Sequence, residues 1–117
     1  MNVHEGPHSI GKGSHQVPLQ NGMVVSNEPG YYKENEFGIR IENLIFVKKV
    51  NDVEEQNLLA FENLTFVPID TRLMDMSLLT EIEKSWINSY HREVINKVGP
   101  YLEESALLWL KNAIKPI

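Results

Sequence analysis

The hydrophobic and polar positions change period part-way along the chain. Residues 1–19 mix Gly, His, Ser and Pro without a sustained apolar repeat, which predicts an irregular segment. Met23-Val24-Val25-Ser26-Asn27-Glu28 reads as a short buried strand stopped by Pro29-Gly30, because proline has no N–H for a ladder and glycine accepts turn torsions. Tyr31 to Phe37 is polar and turn-like, and Gly38 to Val50, rich in Ile, Val and Phe, carries the strongest strand signal. Phe61 to Pro68 predicts a further strand, weakened at its end by Pro68.

Beyond Asp70 a period near two gives way to helical spacing. Thr80 with Glu83 three residues on forms a capping box, and Leu79, Ile82, Trp86, Tyr90, Val94 and Val98 recur at helical intervals. A helix is therefore expected from Glu81 to Val98. Gly99-Pro100 offers it a C-terminal glycine and places a proline in the first turn of a second helix, whose stripe is Leu102, Ala106, Leu107, Leu110 and Ile114 and which Pro116 ends. The expected class is α+β: a strand-rich portion over residues 1–70 and a helical portion over 71–117.

Composition narrows the chemistry. At 117 residues and 42% hydrophobic, the chain can bury one modest core. It has no apolar run of about 18 residues and begins with neither the basic nor the apolar region of a signal peptide, so a soluble, intracellular protein with no membrane partner is expected. Cysteine is absent, which excludes disulfides, thiolate ligands and cysteine nucleophiles and leaves His, Asp, Glu and backbone oxygen to hold any metal. A net charge of -5, with Lys48-Lys49 the only basic pair, argues against nucleic acid as a partner.

Strand alternation then singles out two carboxylates. Over the Gly38 run, Arg40, Glu42, Leu44 and Phe46 share one face, and Ile39, Ile41, Asn43, Ile45 and Val47 share the other. If the strand ending at Glu28 and the one beginning at Gly38 form an antiparallel hairpin centred on Asn35, Glu28 and Glu42 face each other. Two carboxylates so placed repel, so something positive should lie between them. Arg40, two residues from Glu42 on the same face, would make the group a plain salt-bridge cluster. A pair of divalent ions, which carboxylates from several elements commonly bridge, would make it half of a metal site. Spacing leaves both open.

Three segments add a resemblance. Val3-His4-Glu5-Gly6-Pro7, Asn27-Glu28-Pro29-Gly30-Tyr31-Tyr32 and Gly38-Ile39-Arg40-Ile41-Glu42-Asn43 resemble, in order and spacing, the closing motifs of the aminopeptidase P (Xaa-Pro aminopeptidase) family. The likeness continues through Leu64-Thr65-Phe66-Val67-Pro68-Ile69 and a tail with Trp86 and Tyr90-His91, similar to the C-terminal extension of longer, cytosolic-type members. It implies the C-terminal part of a pita-bread metallopeptidase domain over residues 1–70, with 71–117 as the extension. It implies two divalent ions, usually manganese, with Glu28 as a ligand that also serves as acid/base and Glu42 as a bridging ligand. His4 would face substrate, stabilising an oxyanion or managing a proton, and Arg40 and Tyr32 would support the ligands through hydrogen bonds. The activity implied is release of the N-terminal residue from peptides with proline in second position, in the cytoplasm.

The family's other ligands, two aspartates and a histidine, lie upstream of its Val-His-Glu-Gly-Pro motif, where this sequence starts. The expectation is a C-terminal portion that is inactive alone and self-associates through exposed strand edges, or joins the dimers common in the family. Asp70 and Asp75 follow the last motif strand and are expected at the surface or leading into a helix. His8 and His15 are expected to be exposed loop residues, and His91 a surface or packing residue. Trp86, Tyr90 and Trp109 are expected to be core, although they could line a partner groove. A different class of function also fits: an interaction module that keeps the fold without its chemistry.

Overall fold

The computed structural model describes residues 7–11, 17–50 and 58–117, and the chain divides into two compact units, Met1–Thr65 and Phe66–Ile117. Among the described residues the first holds five strands: β1 (Val24–Asn27), β2 (Gly30–Lys33), β3 (Phe37–Arg40), β4 (Asn43–Lys49) and β5 (Leu59–Asn63). β1, β4 and β5 form one antiparallel sheet with β4 in the middle, and β2 and β3 pair separately.

Both ribbons share one register. Val24 faces Phe46, Asn27 faces Asn43, Gly30 faces Arg40 and Lys33 faces Phe37, so every pair is symmetric about Asn35. Asn35 has a φ of 59°, a left-handed torsion that Asn tolerates at a hairpin tip. The turn is thus confined to residues 34–36, and the polar stretch after Gly30 is a strand, β2, not a loop. The strand expected over Gly38–Val50 is present in two pieces, β3 and β4. The break at Ile41 and Glu42 lies opposite Pro29, whose missing N–H removes one rung.

Alternation puts Val25, Ile45 and Val47 on one face of the three-stranded sheet, where they are the buried apolar residues among those described in this unit. β5 begins at Leu59 and ends at Asn63, short of the expected Phe61–Pro68 span. Beyond Asn63, Leu64 N–H still donates to Leu44 O at 2.8 Å, but Leu44 N–H is taken by the Thr65 hydroxyl at 2.9 Å, so a side chain closes the ladder.

The second unit is helical. α1 (Glu81–Val98) starts at the expected capping box: Thr80 Oγ1 accepts from Glu83 N–H at 3.3 Å, and Glu83 Oε2 accepts from Thr80 N–H at 2.8 Å. The buried face is Ile87, Tyr90, His91 and Val94, rotated from the expected stripe, since Ile82 is 81% and Trp86 52% exposed. A 3-10 turn over Gly99–Tyr101 intervenes before α2 (Glu104–Ala113), so Pro100 belongs to the connection and not to the helix. Gly99 keeps right-handed helical torsions. Its role is close approach, because a Cβ there would lie 3.2 Å from Ile95 Cγ1 and 3.4 Å from Leu107 Cδ1.

The core of this unit is Tyr90, Val94 and Leu110, with Phe66, Ile69, Ile95, Leu102 and Ile114 packed on it. The segment around Val67 and Ile69 has no regular secondary structure. Tyr90 O–H donates to Val67 O at 2.8 Å and His91 Nε2 accepts from Ile69 N–H at 3.1 Å, so two α1 side chains satisfy its backbone. Among the described residues no helix is long and apolar enough to cross a membrane.

Candidate functional site

The carboxylates occupy the gap between the two ribbons. Val47 N–H donates to Met23 O at 2.8 Å, and Ile41 N–H donates to Pro29 O at 3.2 Å. Hydrogen-bonded and non-hydrogen-bonded pairs alternate along an antiparallel ribbon, so the shared register makes 28 and 42 a non-hydrogen-bonded pair. Such pairs bring side chains closest, with Cα atoms about 4.5 Å apart. Like charges at that position need a counter-charge.

Arg40 provides it. Its Nη1 donates to Glu28 Oε2 at 3.2 Å, and its Nε lies 3.5 Å from Glu42 Oε2. The guanidinium therefore spans both carboxylates from one side, using two nitrogens of its planar fork. Glu28 is the more enclosed, with 24% of its side chain exposed against 46% for Glu42. Ser26, two residues back on the same face, donates its hydroxyl to Glu28 Oε1 at 2.9 Å, so the Glu28 carboxylate is gripped at both oxygens. Sequence reading missed Ser26. The i−2 position on a strand, which shares a face with i, was the available signal.

Tyr32 shares this face. Its ring lies against two glycines, because a Cβ built on Gly38 would meet Tyr32 Cδ1 at 2.7 Å and one on Gly30 would meet Cε2 at 2.8 Å. His4 and His15 lie outside the described residues. His8, expected to be exposed, is half-buried and anchored: its Nε2 is 2.9 Å from Val24 O and its Nδ1 is buried. The carbonyl of β1, an edge strand, gives that ring a partner which the loop-like sequence around it does not reveal. Asp70 is exposed and paired with Arg72, whose guanidinium holds its carboxyl at a pKa of about 2, and Asp75 caps the turn at Ser77. Both sit at the surface ahead of α1, as expected. Among the described residues no group of three or more His, Asp or Glu side chains gathers at one point.

The donor set suits a hard divalent cation: two carboxylates facing one another across the gap between the ribbons, with the single charge of Arg40 offsetting only part of theirs. The sequence profile of metallopeptidase family M24 matches residues 1–49, and that of the C-terminal region of peptidase M24 matches residues 57–117. The chain belongs to the peptidase M24 family. Within it, the chain is 52% identical to Aminopeptidase P2 of Arabidopsis thaliana, with all of this chain and 17% of the relative covered. It is 50% identical to the probable Xaa-Pro aminopeptidase P of Coprinopsis cinerea, covering 20% of that protein. The M24 fold is equally visible in three dimensions. The crystal structure of X-prolyl aminopeptidase from Caenorhabditis elegans, described as a cytosolic enzyme with a di-nuclear active site, matches the whole chain with a TM-score of 0.84 at 42% identity and 20% of its own length. The chain thus has the C-terminal part of a pita-bread fold, and it spans about a fifth of the length of these relatives.

Proposed function

We propose that this M24 chain supplies two ligands, Glu28 and Glu42, to a pair of divalent metal ions, manganese by the family's usage, in a cytoplasmic aminopeptidase that removes the residue before a penultimate proline. The observation that carries this is the facing of Glu28 and Glu42 in one register with Arg40 spanning them. The relatives' names and the di-nuclear site of the Caenorhabditis elegans enzyme support the activity and the metal count.

When bound, the metal pair supplies Lewis acidity and a water acidic enough to ionise near neutral pH. This chain's own residues hold and orient the ligands. Ser26 and Arg40 each take one oxygen of Glu28, which fixes the carboxylate's plane and leaves its remaining lone pairs to face the cations. Arg40 also restrains Glu42. Glu28 serves as acid/base beside its role as ligand, His4 stabilises the oxyanion or manages a proton near the scissile bond, and Tyr32, with Arg40, supports the ligands through hydrogen bonds. The remaining ligands come from outside the described residues. Residues 1–70 act as the end of the catalytic domain and 71–117 as its helical extension, and the substrate-bearing assembly is a homodimer.

Manganese titration of the chain, read by the paramagnetic signal of free Mn2+, tests the ligand assignment. Uptake should fall at least about tenfold when Glu28→Gln and Glu42→Gln are combined, since each removes a charged oxygen donor. Equal uptake by the double variant would refute it. An Xaa-Pro peptide incubated with the chain and Mn2+ should stay intact, and robust turnover would show that the other ligands need not come from elsewhere.

A further inference from the structure

We propose that the amide row Asn27, Asn43 and Asn63 is a positioning device that holds Glu28, Arg40 and Glu42 in register across the gap between the two ribbons. Asn27 Nδ2 donates to Asn43 Oδ1 at 3.2 Å, and Asn43 Nδ2 donates to Asn63 Oδ1 at 2.9 Å, so one row of side-chain amides links β1, β4 and β5. Asn27 precedes Glu28 and Asn43 follows Glu42 in the chain, and the two asparagines face each other in the same register. The row therefore lies on the opposite face of the sheet, directly beside the carboxylate pair.

Its place is what separates it from ordinary sheet packing. Further along the same face the positions are Val25, Ile45 and Val47, all buried and apolar. Asparagine is a poor strand residue, and three gathered at one end of a sheet cost stability unless their amides bond one another, as these do. That end is where the backbone ladder fails. Pro29 has no N–H to return to Ile41, so beyond residues 27 and 43 the strands share only the single bond from Ile41 N–H to Pro29 O before β2 and β3 resume pairing. With like charges facing each other inside this weakened stretch, repulsion acts to splay it. Side-chain amides on one flank and the Pro29 carbonyl on the other hold the strands at pairing distance. Asn63, opposite Ile45 in its own ladder, reaches diagonally and ties the row to β5, and the Thr65 hydroxyl on Leu44 N–H anchors β4 one residue further on. The three asparagines lie on the face opposite the carboxylates and act through strand spacing.

The functional meaning rests on Glu28 and Glu42 being the site, but the test does not need metal. The Nε–H resonance of Arg40, identified by its loss in Arg40→Lys, reports whether the guanidinium still lies against Glu42. In the unaltered chain it should exchange slowly with water. Asn43→Val should speed that exchange by about five- to tenfold, the scale set by losing one or two hydrogen bonds, and Asn27→Ala should act in the same direction. Asn63→Asp, which keeps an acceptor for the Asn43 amide, should leave the resonance in place. A row that is only structural would lower the melting midpoint in Asn43→Val while the Arg40 signal stayed unchanged, and that outcome overturns the proposal. So does an Arg40 proton that already exchanges freely in the unaltered chain. Should Asn43→Val not fold, the contrast between Asn27→Ala and Asn63→Asp decides alone. Equal Mn2+ uptake by the chain and by the combined Glu28→Gln, Glu42→Gln variant refutes the metal reading and leaves this measurement standing.

Discussion

In the strand unit the side chains proposed to bear the chemistry, Glu28, Arg40 and Glu42, stand 24%, 49% and 46% exposed and are held by one another. In the helical unit the comparable polar groups, Tyr90 and His91, are buried within a closed apolar core and spend their hydrogen bonds on the backbone at Val67 and Ile69. One unit leaves polar atoms open to solvent, and the other uses them to finish its own interior. The contrast predicts that core truncation dominates the energetics of the helical unit, whereas the strand unit depends on register and charge placement.

The largest effect should come from Leu110→Ala. Leu110 is 2% exposed and packs with Tyr90 and Val94, so its loss removes apolar contacts and leaves a cavity, costing about 2–4 kcal/mol. Denaturant unfolding followed by the helical circular dichroism signal measures it. A cost below about 1 kcal/mol would mean that the three-residue core is not what holds α1 and α2 together.

How much of this was legible in the sequence differs between the units for physical reasons. The hairpin register was readable because strand alternation and a tip at Asn35 fix which residues face each other once the turn is centred. The helix Glu81–Val98 was readable because Thr80 and Glu83 announce its start locally. The α1 burial face was not, since period alone cannot say which side meets the Phe66–Ile69 segment, and Ile82 and Trp86 looked as apolar as Ile87. β2 was hidden by its polar composition: Tyr31, Tyr32 and Lys33 are all exposed, so no burial signal marks them as a strand. Arg40's pairing with both carboxylates followed from the shared face. Ser26 and the asparagine row did not, because polar residues inside short strands look like turn residues until cross-strand partners are known.

Acidification should weaken the helical unit next most strongly. Burial pushes the His91 pKa below that of a free imidazole, and its Nε2 already accepts the Ile69 N–H, so the folded form keeps the ring neutral. Unfolding releases a ring that binds protons more readily, so the stabilisation is complete above about pH 6.5 and is lost as the pH falls through the lower folded value. The unfolding midpoint of the helical signal should drop between about pH 7.5 and about pH 5. His91→Gln, which retains an acceptor, should flatten that dependence. An equal drop in the variant would place the titrating group elsewhere.

Removing the α1 cap should cost less. Thr80→Ala deletes the oxygen that accepts Glu83 N–H and should lower stability by about 1 kcal/mol, measured in the same unfolding experiment. The Thr80 N–H bond to the Glu83 carboxylate holds that group's pKa down. Glu83→Gln, which can still accept from Thr80 N–H, should therefore cost less than Thr80→Ala. The reverse order would mean that charge at the helix start outweighs the cap hydrogen bond.

The smallest effect sharpens the account of the strand unit. Lys48 Nζ lies 2.8 Å from Glu62 Oε2 across β4 and β5, and this hydrogen bond, with the attraction of the two charges, raises the Lys48 pKa. The pair is short enough to look structural. Its side chains are nevertheless 58% and 41% exposed, and water screens exposed pairs while ordering two long chains costs entropy. Lys48→Gln should therefore leave the unfolding midpoint unchanged within error at physiological salt, and added salt should not separate the variant from the original chain. If Lys48→Gln instead destabilised the sheet as much as Asn43→Val, surface charge and not the amide row would be holding β4 to its neighbours. The geometry argues otherwise, because Asn43 makes two amide hydrogen bonds on a half-buried face, and their loss leaves polar atoms with less access to water than an exposed carboxylate has.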